Sequence, residues 1–135
     1  MELTLSIRAD EGLLYATYSG EFLLVEAESS FLQILEALER HKIPKVVVDG
    51  REITGEPSNM ERFMYGEFVA EAVNRLLRRT NCPVPKFAYV LLPPVLDPQR
   101  FGETVAVNRG MLVKTFDNLN DGLEWLGIRF RYDAG

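Results

Sequence analysis

The residues with the most chemical capacity sit close together, in Asp49-Gly50-Arg51-Glu52-Ile53-Thr54-Gly55-Glu56-Pro57-Ser58. A carboxylate, a guanidinium and two hydroxyls in one short stretch could hold a polar ligand. The blander use of the same residues is a solvated loop in which Asp49 caps its own turn. Gly55 permits a positive φ, and Pro57 disfavours helix at Glu56. Ser58 then opens S-N-M-E, a capping box closed by Glu61. As a cap, Ser58 accepts from first-turn amides and needs no other role. As a phosphosite it would carry a charge of about −1.5 to −2 at a helix N-terminus, where the dipole tolerates an anion. Thr54 is the second hydroxyl of the loop.

Met60, Phe63, Met64 and Tyr65 follow directly. A Met/Phe patch either packs under a neighbouring element or serves as an adaptable binding surface. Far along the chain, Arg100, Glu103, Asn108 and Arg109 are expected near the same sheet edge, where ion pairing and helix capping are competing uses. The candidate ligand or partner surface is therefore Asp49, Arg51, Thr54, Ser58, Met60, Phe63, Met64, Tyr65 and Arg109.

Other chemistries find little material. The single histidine, His41, closes a helix, where a cation favours the dipole. A Ser-His-Asp triad would need that histidine, and no nucleophile motif accompanies it. One histidine and one cysteine leave only carboxylates for a metal, at no ligand spacing we recognise. Cys82 lies between Asn81 and Pro83, with no charge cluster to stabilise a thiolate, and reads as a small half-buried residue. Gly50, Gly55 and Gly66 match neither nucleotide-binding glycine pattern. No catalytic residue, metal or cofactor is expected.

Composition narrows the classes further. A chain of 135 residues is one domain, and 47% apolar residues suffice for a core at this length. A net charge of −5 repels phosphate backbones and argues against nucleic acid. A lone cysteine fits a reducing cytoplasm. The opening MELTLSIRAD has no basic region followed by an apolar stretch, so no secretory leader is expected. The longest apolar run, 87–96, contains Pro93-Pro94 and is too short for membrane insertion.

The elements that must position these residues follow from periodicity. Leu3, Leu5 and Ile7 alternate with polar residues as a half-exposed strand. A turn at Asp10-Glu11-Gly12 leads to a second strand over 13–19, giving an antiparallel hairpin. Residues 20–25 lead into a helix whose clearly periodic part is 28–41, its apolar side holding Phe31, Leu32, Leu35 and Leu38, and Pro44 stops it. The third strand, 45–49, is a β-branched run suited to burial on both faces. Asp49 then lies at its carboxyl end, the edge where open α/β sheets bind ligands.

A long helix over 58–79 buries Val69, Ala72, Val73, Leu76 and Leu77. Met60, Phe63, Met64 and Phe68 fall off that stripe. Either the helix breaks near Gly66, where glycine costs about 1 kcal/mol against alanine, or its first turns carry a second apolar face. A strand over 86–92 follows. Asp97 and Pro98 read as cap and first position of a short helix with Phe101, Val105 and Ala106. A strand over 111–116 and a helix with Leu119, Leu123 and Leu126 complete the fold, with a loose tail over 129–135. The order β-β-α-β-α-β-α-β-α implies a mixed, mostly parallel five-stranded sheet with about four flanking helices and right-handed crossovers.

Four stretches carry a resemblance: VVVDGREITG at 46–55, ERFMYGEFVAE at 61–71, FGETVAVNRG at 101–110 and FDNLNDGLEWLG at 116–127. Their order and spacing resemble the SpoIIAA-like (STAS/SEC14-type) family of small stand-alone bacterial proteins. The resemblance implies a β-α superhelix of STAS type with an added antiparallel N-terminal strand. Anti-sigma-factor antagonists of this fold are switched by phosphorylation of a serine near the start of the helix after the third strand, in a motif close to D-S-S-G. The present chain has Thr54-Gly55-Glu56-Pro57-Ser58 there and lacks the serine pair; Ser58 and Thr54 lie in comparable places.

Two functions compete. The first is a non-catalytic regulatory or protein-interaction module, homodimeric in one version, using 50–58 with Met60, Phe63 and Met64. Its protein partner is not legible. The second is a carrier or sensor of a small apolar, lipid-like ligand between the second helix and the sheet. Tyr65, Phe68 and Phe101 would wall it, and Arg51 or Arg109 would anchor its polar end.

Overall fold

The computed structural model describes residues 1–128. The tail expected over 129–135 lies outside the described residues. The elements are β1 (Glu2–Arg8), a 3-10 turn (Ala9–Glu11), β2 (Leu13–Glu21), α1 (Leu24–His41), β3 (Lys45–Thr54), α2 (Asn59–Arg79), β4 (Lys86–Val90), α3 (Phe101–Asn108), β5 (Leu112–Phe116) and α4 (Leu119–Trp125). The five strands lie side by side in sequence order. β1 runs antiparallel to β2, and β2 to β5 are parallel. The α/β class, the mixed sheet and the four helices are as the periodicity predicts.

Helices cover both faces of the sheet, unequally. The larger core joins Leu14, Ala16, Val46, Val48 and Phe87 of the sheet to Phe31 and Leu38 of α1 and to Val69 and Val73 of α2. On the other face Leu13, Val47, Ala88 and Val90 pack on Leu123 and Leu126 of α4. Alternation along β3 sends Val46 and Val48 one way and Val47 the other. That is why the run is continuously apolar.

Several expectations are corrected. The segment 50–54 is strand, not loop. Ser19, Gly20 and Glu21 of β2 pair with Glu52, Ile53 and Thr54, so backbone pairing overrides the polar composition. The register shifts on the way. Thr17 pairs with Asp49 and Ser19 with Glu52, so β3 carries one extra residue, a bulge. α1 begins at Leu24, inside the 20–25 lead-in, and Leu32, on its expected apolar side, is 49% exposed. Asp97 and Pro98 do not open α3. Asp97 accepts from the amides of Gln99 and Phe101, and the helix begins at Phe101, itself 39% exposed.

Helix α2 does not break. It runs unbroken from Asn59 to Arg79, capped by Ser58. The Ser58 hydroxyl accepts from Glu61 N at 3.1 Å, and the Glu61 carboxylate accepts from Ser58 N at 2.8 Å. Gly66 is buried because α3 crosses α2 there. A Cβ built on Gly66 would lie 2.5 Å from the Gly102 carbonyl oxygen, and one on Gly102 would lie 3.1 Å from the Arg62 carbonyl oxygen. Backbone meets backbone, with no side chain between to yield. Two substitutions in α2 test this: Ser58→Ala should cost about 1 kcal/mol by loss of the cap. Gly66→Ala, which in an uncrowded helix gains about 1 kcal/mol, should instead lose about 1–3 kcal/mol to overpacking. Urea denaturation of both variants checks this, and a Gly66→Ala protein more stable than wild type would remove the crossing contact as the reason for the glycine.

Candidate functional site: an apolar cleft with three tyrosine hydroxyls

The carboxyl ends of the parallel strands and the N-terminal halves of α1, α2 and α3 surround a cleft of about 120 Å³. Its walls are mostly apolar. Val69 comes from α2, Ala106 from α3, Val113 from β5, and Leu91, Val95 and Leu96 from the segment after β4. Gly66 and Gly102 line it too, so the helix crossing is part of its wall. This is the sheet edge where strand-to-helix connections gather in open α/β folds.

Three tyrosines supply the polar atoms inside. Alternation places Tyr18 on the same face of β2 as Leu14 and Ala16, and Tyr89 on the same face of β4 as Phe87. Tyr65 reaches in from α2. The hydroxyls of Tyr65 and Tyr89 share a hydrogen bond at 2.8 Å. Tyr18 is 2% exposed, and its hydroxyl has no hydrogen-bond partner among the described residues, although the Tyr65 hydroxyl is its neighbour. Burial, first of all, pushes all three phenols well above their ordinary pKa of 10.0, and the neighbouring tyrosines add to it. All three are therefore neutral near pH 7, and the interior of the cleft resists negative charge.

The rim is charged but balanced. Arg62 donates to the Pro94 carbonyl at 2.9 Å and faces Asp97. Burial acts to raise the Asp97 carboxyl, but hydrogen bonds from the Phe101 and Gln99 amides and the charge of Arg62 outweigh it and hold the pKa below 3.8. Arg100 lies 3.8 Å from Glu103, whose carboxylate also accepts from the Thr115 amide and hydroxyl. The N-terminal ammonium pairs with Glu26.

The expected surface residues do not form one site. Asp49 and Arg51 sit on the other face of the sheet from the cleft. The Asp49 carboxylate is chelated by the Arg51 guanidinium at 2.9 and 2.8 Å and accepts from the Tyr15 hydroxyl at 2.6 Å. Burial acts to raise its pKa, and the bonds from Arg51 and Tyr15 more than reverse that. Tyr15, by burial first and by Asp49 second, is pushed up to about 12. The carboxylate is thus fully used inside the fold. Thr54 is exposed on the overhanging end of β3, and Ser58 is exposed but engaged as the cap.

Met60 and Met64 are 65% and 44% exposed on the outside of α2. Phe63 turns the other way, stacking on Phe101 with centroids 6.3 Å apart beneath the Arg109 guanidinium. Arg109 also pairs with Glu67 at 2.9 Å. Of the expected surface only Tyr65 enters the cleft. Phe68, Phe101, Arg51 and Arg109, expected as walls and anchors, do not line it, and Arg62 and Arg100 stand at its rim instead.

No family model matches the chain, and no curated protein matches it significantly. Among the described residues, no group of His, Cys, Asp and Glu could hold a metal ion, and no helix is long and apolar enough to cross a membrane. Sequence reading missed Tyr18 and Tyr89, yet a signal was present. Each tyrosine falls in step with core positions of its strand, near the carboxyl end, and a hydroxyl pointed inward there needs a partner.

The chelated carboxylate gives a directional test. Asp49→Asn should cost about 2 kcal/mol at pH 7, the scale of a charge-assisted hydrogen bond. The folded pKa lies below 3.8, so the carboxylate's contribution is complete above 3.8 and fades as pH falls through the lower folded value. The stability gap between wild type and variant, followed by chemical denaturation from pH 7 down to acid, should therefore close only below about 3.8. A gap that is constant across that range would contradict the assignment.

Proposed function

We propose that the protein is a non-catalytic binding module that holds a small, largely apolar molecule in the cleft between α2, α3 and the carboxyl edge of the sheet. One observation carries this reading: an apolar cleft contains a 98%-buried tyrosine whose hydroxyl lacks a partner among the described residues. A buried hydroxyl without a hydrogen bond costs about 1–3 kcal/mol. A ligand that accepts from it would recover that cost. The walls are apolar, and pockets for small molecules commonly combine such walls with a few convergent polar groups. The resemblance of 46–55, 61–71, 101–110 and 116–127 to the SpoIIAA-like, SEC14-type family is compatible with a carrier or sensor role, at a size well below that of a membrane lipid.

A second reading keeps the protein-interaction module. Leu32, Met60 and Met64 are 49%, 65% and 44% exposed on α1 and α2. Exposed methionines suit adaptable contacts with a partner protein or a second copy. Sedimentation velocity separates this reading. A dimer that dissociates on Met64→Glu supports it, and a monomer over the whole concentration range counts against the homodimer.

The binding reading is tested by filling the cleft. Leu96, half-buried at its mouth, can be enlarged without touching the sheet. A panel of single-ring compounds should include members that raise the melting temperature of wild type. Leu96→Trp should keep the circular dichroism spectrum and lose that response. Equal stabilisation of both proteins would show that the compounds bind elsewhere.

A further inference from the structure

The tyrosine geometry also says what kind of head group the cleft takes, an inference that rests on the binding reading above. Three phenols carry three protons. The Tyr65–Tyr89 bond uses one of them, whichever oxygen donates. The Tyr18 hydroxyl lies beside that of Tyr65 but makes no hydrogen bond of good geometry among the described residues. The accepting member of the Tyr65–Tyr89 pair keeps its own proton for something else. Two donors are therefore left at the inner end of the cleft, with no free charge of either sign beside them among the described residues. A donor pair of this kind suits an oxygen with two lone pairs.

The charge of that oxygen follows from its surroundings. Among the described residues, every cation lining the cleft already has a carboxylate: Arg62 faces Asp97, Arg100 faces Glu103, and the N-terminal ammonium pairs with Glu26. The start of α2 is served by its own capping box and that of α3 by Asp97. Among the described residues no positive charge is left over to offset the desolvation of an anion. The same burial that keeps the phenols neutral disfavours a carboxylate beside them.

Size sets the rest. A cavity of about 120 Å³ is somewhat smaller than the roughly 150 Å³ that accommodates benzene in an engineered protein core. It fits one ring or its aliphatic equivalent, with the outer end of the molecule reaching the rim. We propose that the cleft selects a neutral, single-ring-sized molecule bearing a carbonyl oxygen, which enters oxygen first and accepts hydrogen bonds from Tyr18 and the Tyr65–Tyr89 pair. Ketones, aldehydes, lactones and quinone-like rings belong to this class.

Three probes of equal size separate the requirements: acetophenone, ethylbenzene and benzoate, titrated into the isotopically labelled full chain and followed by NMR shifts of Val69, Leu91 and Val113. Acetophenone should bind about five- to tenfold more tightly than ethylbenzene, the worth of one or two neutral hydrogen bonds, and benzoate most weakly. Tyr18→Phe should cut the advantage of acetophenone to about two- to threefold, the share of the remaining donor, and leave ethylbenzene unchanged. The unliganded Tyr18→Phe protein should be at least as stable as wild type, because it loses a hydroxyl with no partner to leave behind. A merely structural Tyr18 would give a less stable variant and overturn the proposal. Ethylbenzene binding as tightly as acetophenone, or benzoate binding best, would sink the carbonyl preference while leaving the binding module intact. If none of the three shifts those residues, both readings fall.

Discussion

The contact between Gly66 and Gly102 is the constraint on which the rest of this structure leans. Two helix backbones approach so closely that a single methyl group would collide with a carbonyl oxygen. α3 is short, exposed along much of its length, and buries only Val105 and Ala106 deeply. Glu103 on Thr115, Phe101 on Phe63 and Arg109 beside Glu67 tie it down at its edges. The crossing seats it against α2, and the seated pair forms the roof of the cleft. α2 bears the crossing because it is long, continuous and firmly started by the Ser58–Glu61 box. Fold and site thus share one cause, and damage to the crossing would reach the cleft directly, because Gly66 and Gly102 are part of its wall.

Most of the fold was legible in the sequence, for reasons that differ by element. The hairpin, the buried run 46–48 and the capping box at Ser58 each depend on neighbours close in sequence, so local pattern suffices. The misreadings share the opposite property. Gly-Arg-Glu-Ile-Thr at 50–54 looks like loop, and only its pairing with the end of β2 makes it strand. Gly66 reads as a weak point because sequence displays the intrinsic cost of glycine and hides the helix that passes over it. Leu32 keeps the helical period yet stays half-exposed in the groove between α1 and α2. The site was less legible still. Charged residues between 49 and 58 drew attention through chemical type, whereas the cleft is made by tyrosines that sit inside apolar runs and look like core.

The Asp49–Arg51–Tyr15 group shows how a conspicuous charge cluster can be structural. Asp49 lies where β4 stops pairing with β3, and β3 continues beside β2 alone. A carboxylate there loses much of its water. Two bonds from one guanidinium and one from a phenol replace it. The result is a neutral, saturated knot on the α4 face, opposite the cleft. Strand β3 therefore presents finished chemistry on one side and unfinished chemistry on the other, and only the unfinished side has capacity for a ligand.

The bulge in β3 has an implication for how such a chain can change over generations. With one extra residue between the partners of Thr17 and Ser19, the strand falls out of step and back in again: Asp49 and Glu52 come to share a face, and Ile53 turns into the cleft. Loss of a single codon at 50 or 51 would remove the extra residue and leave Glu52, Ile53 and Thr54 opposite the same partners, with Ile53 still facing the cleft. A codon lost between 45 and 49, where the strand is in regular register on both sides, would instead swap inside for outside along part of a buried run. The bulge is thus the one stretch of β3 where a change of length need not be a change of parity.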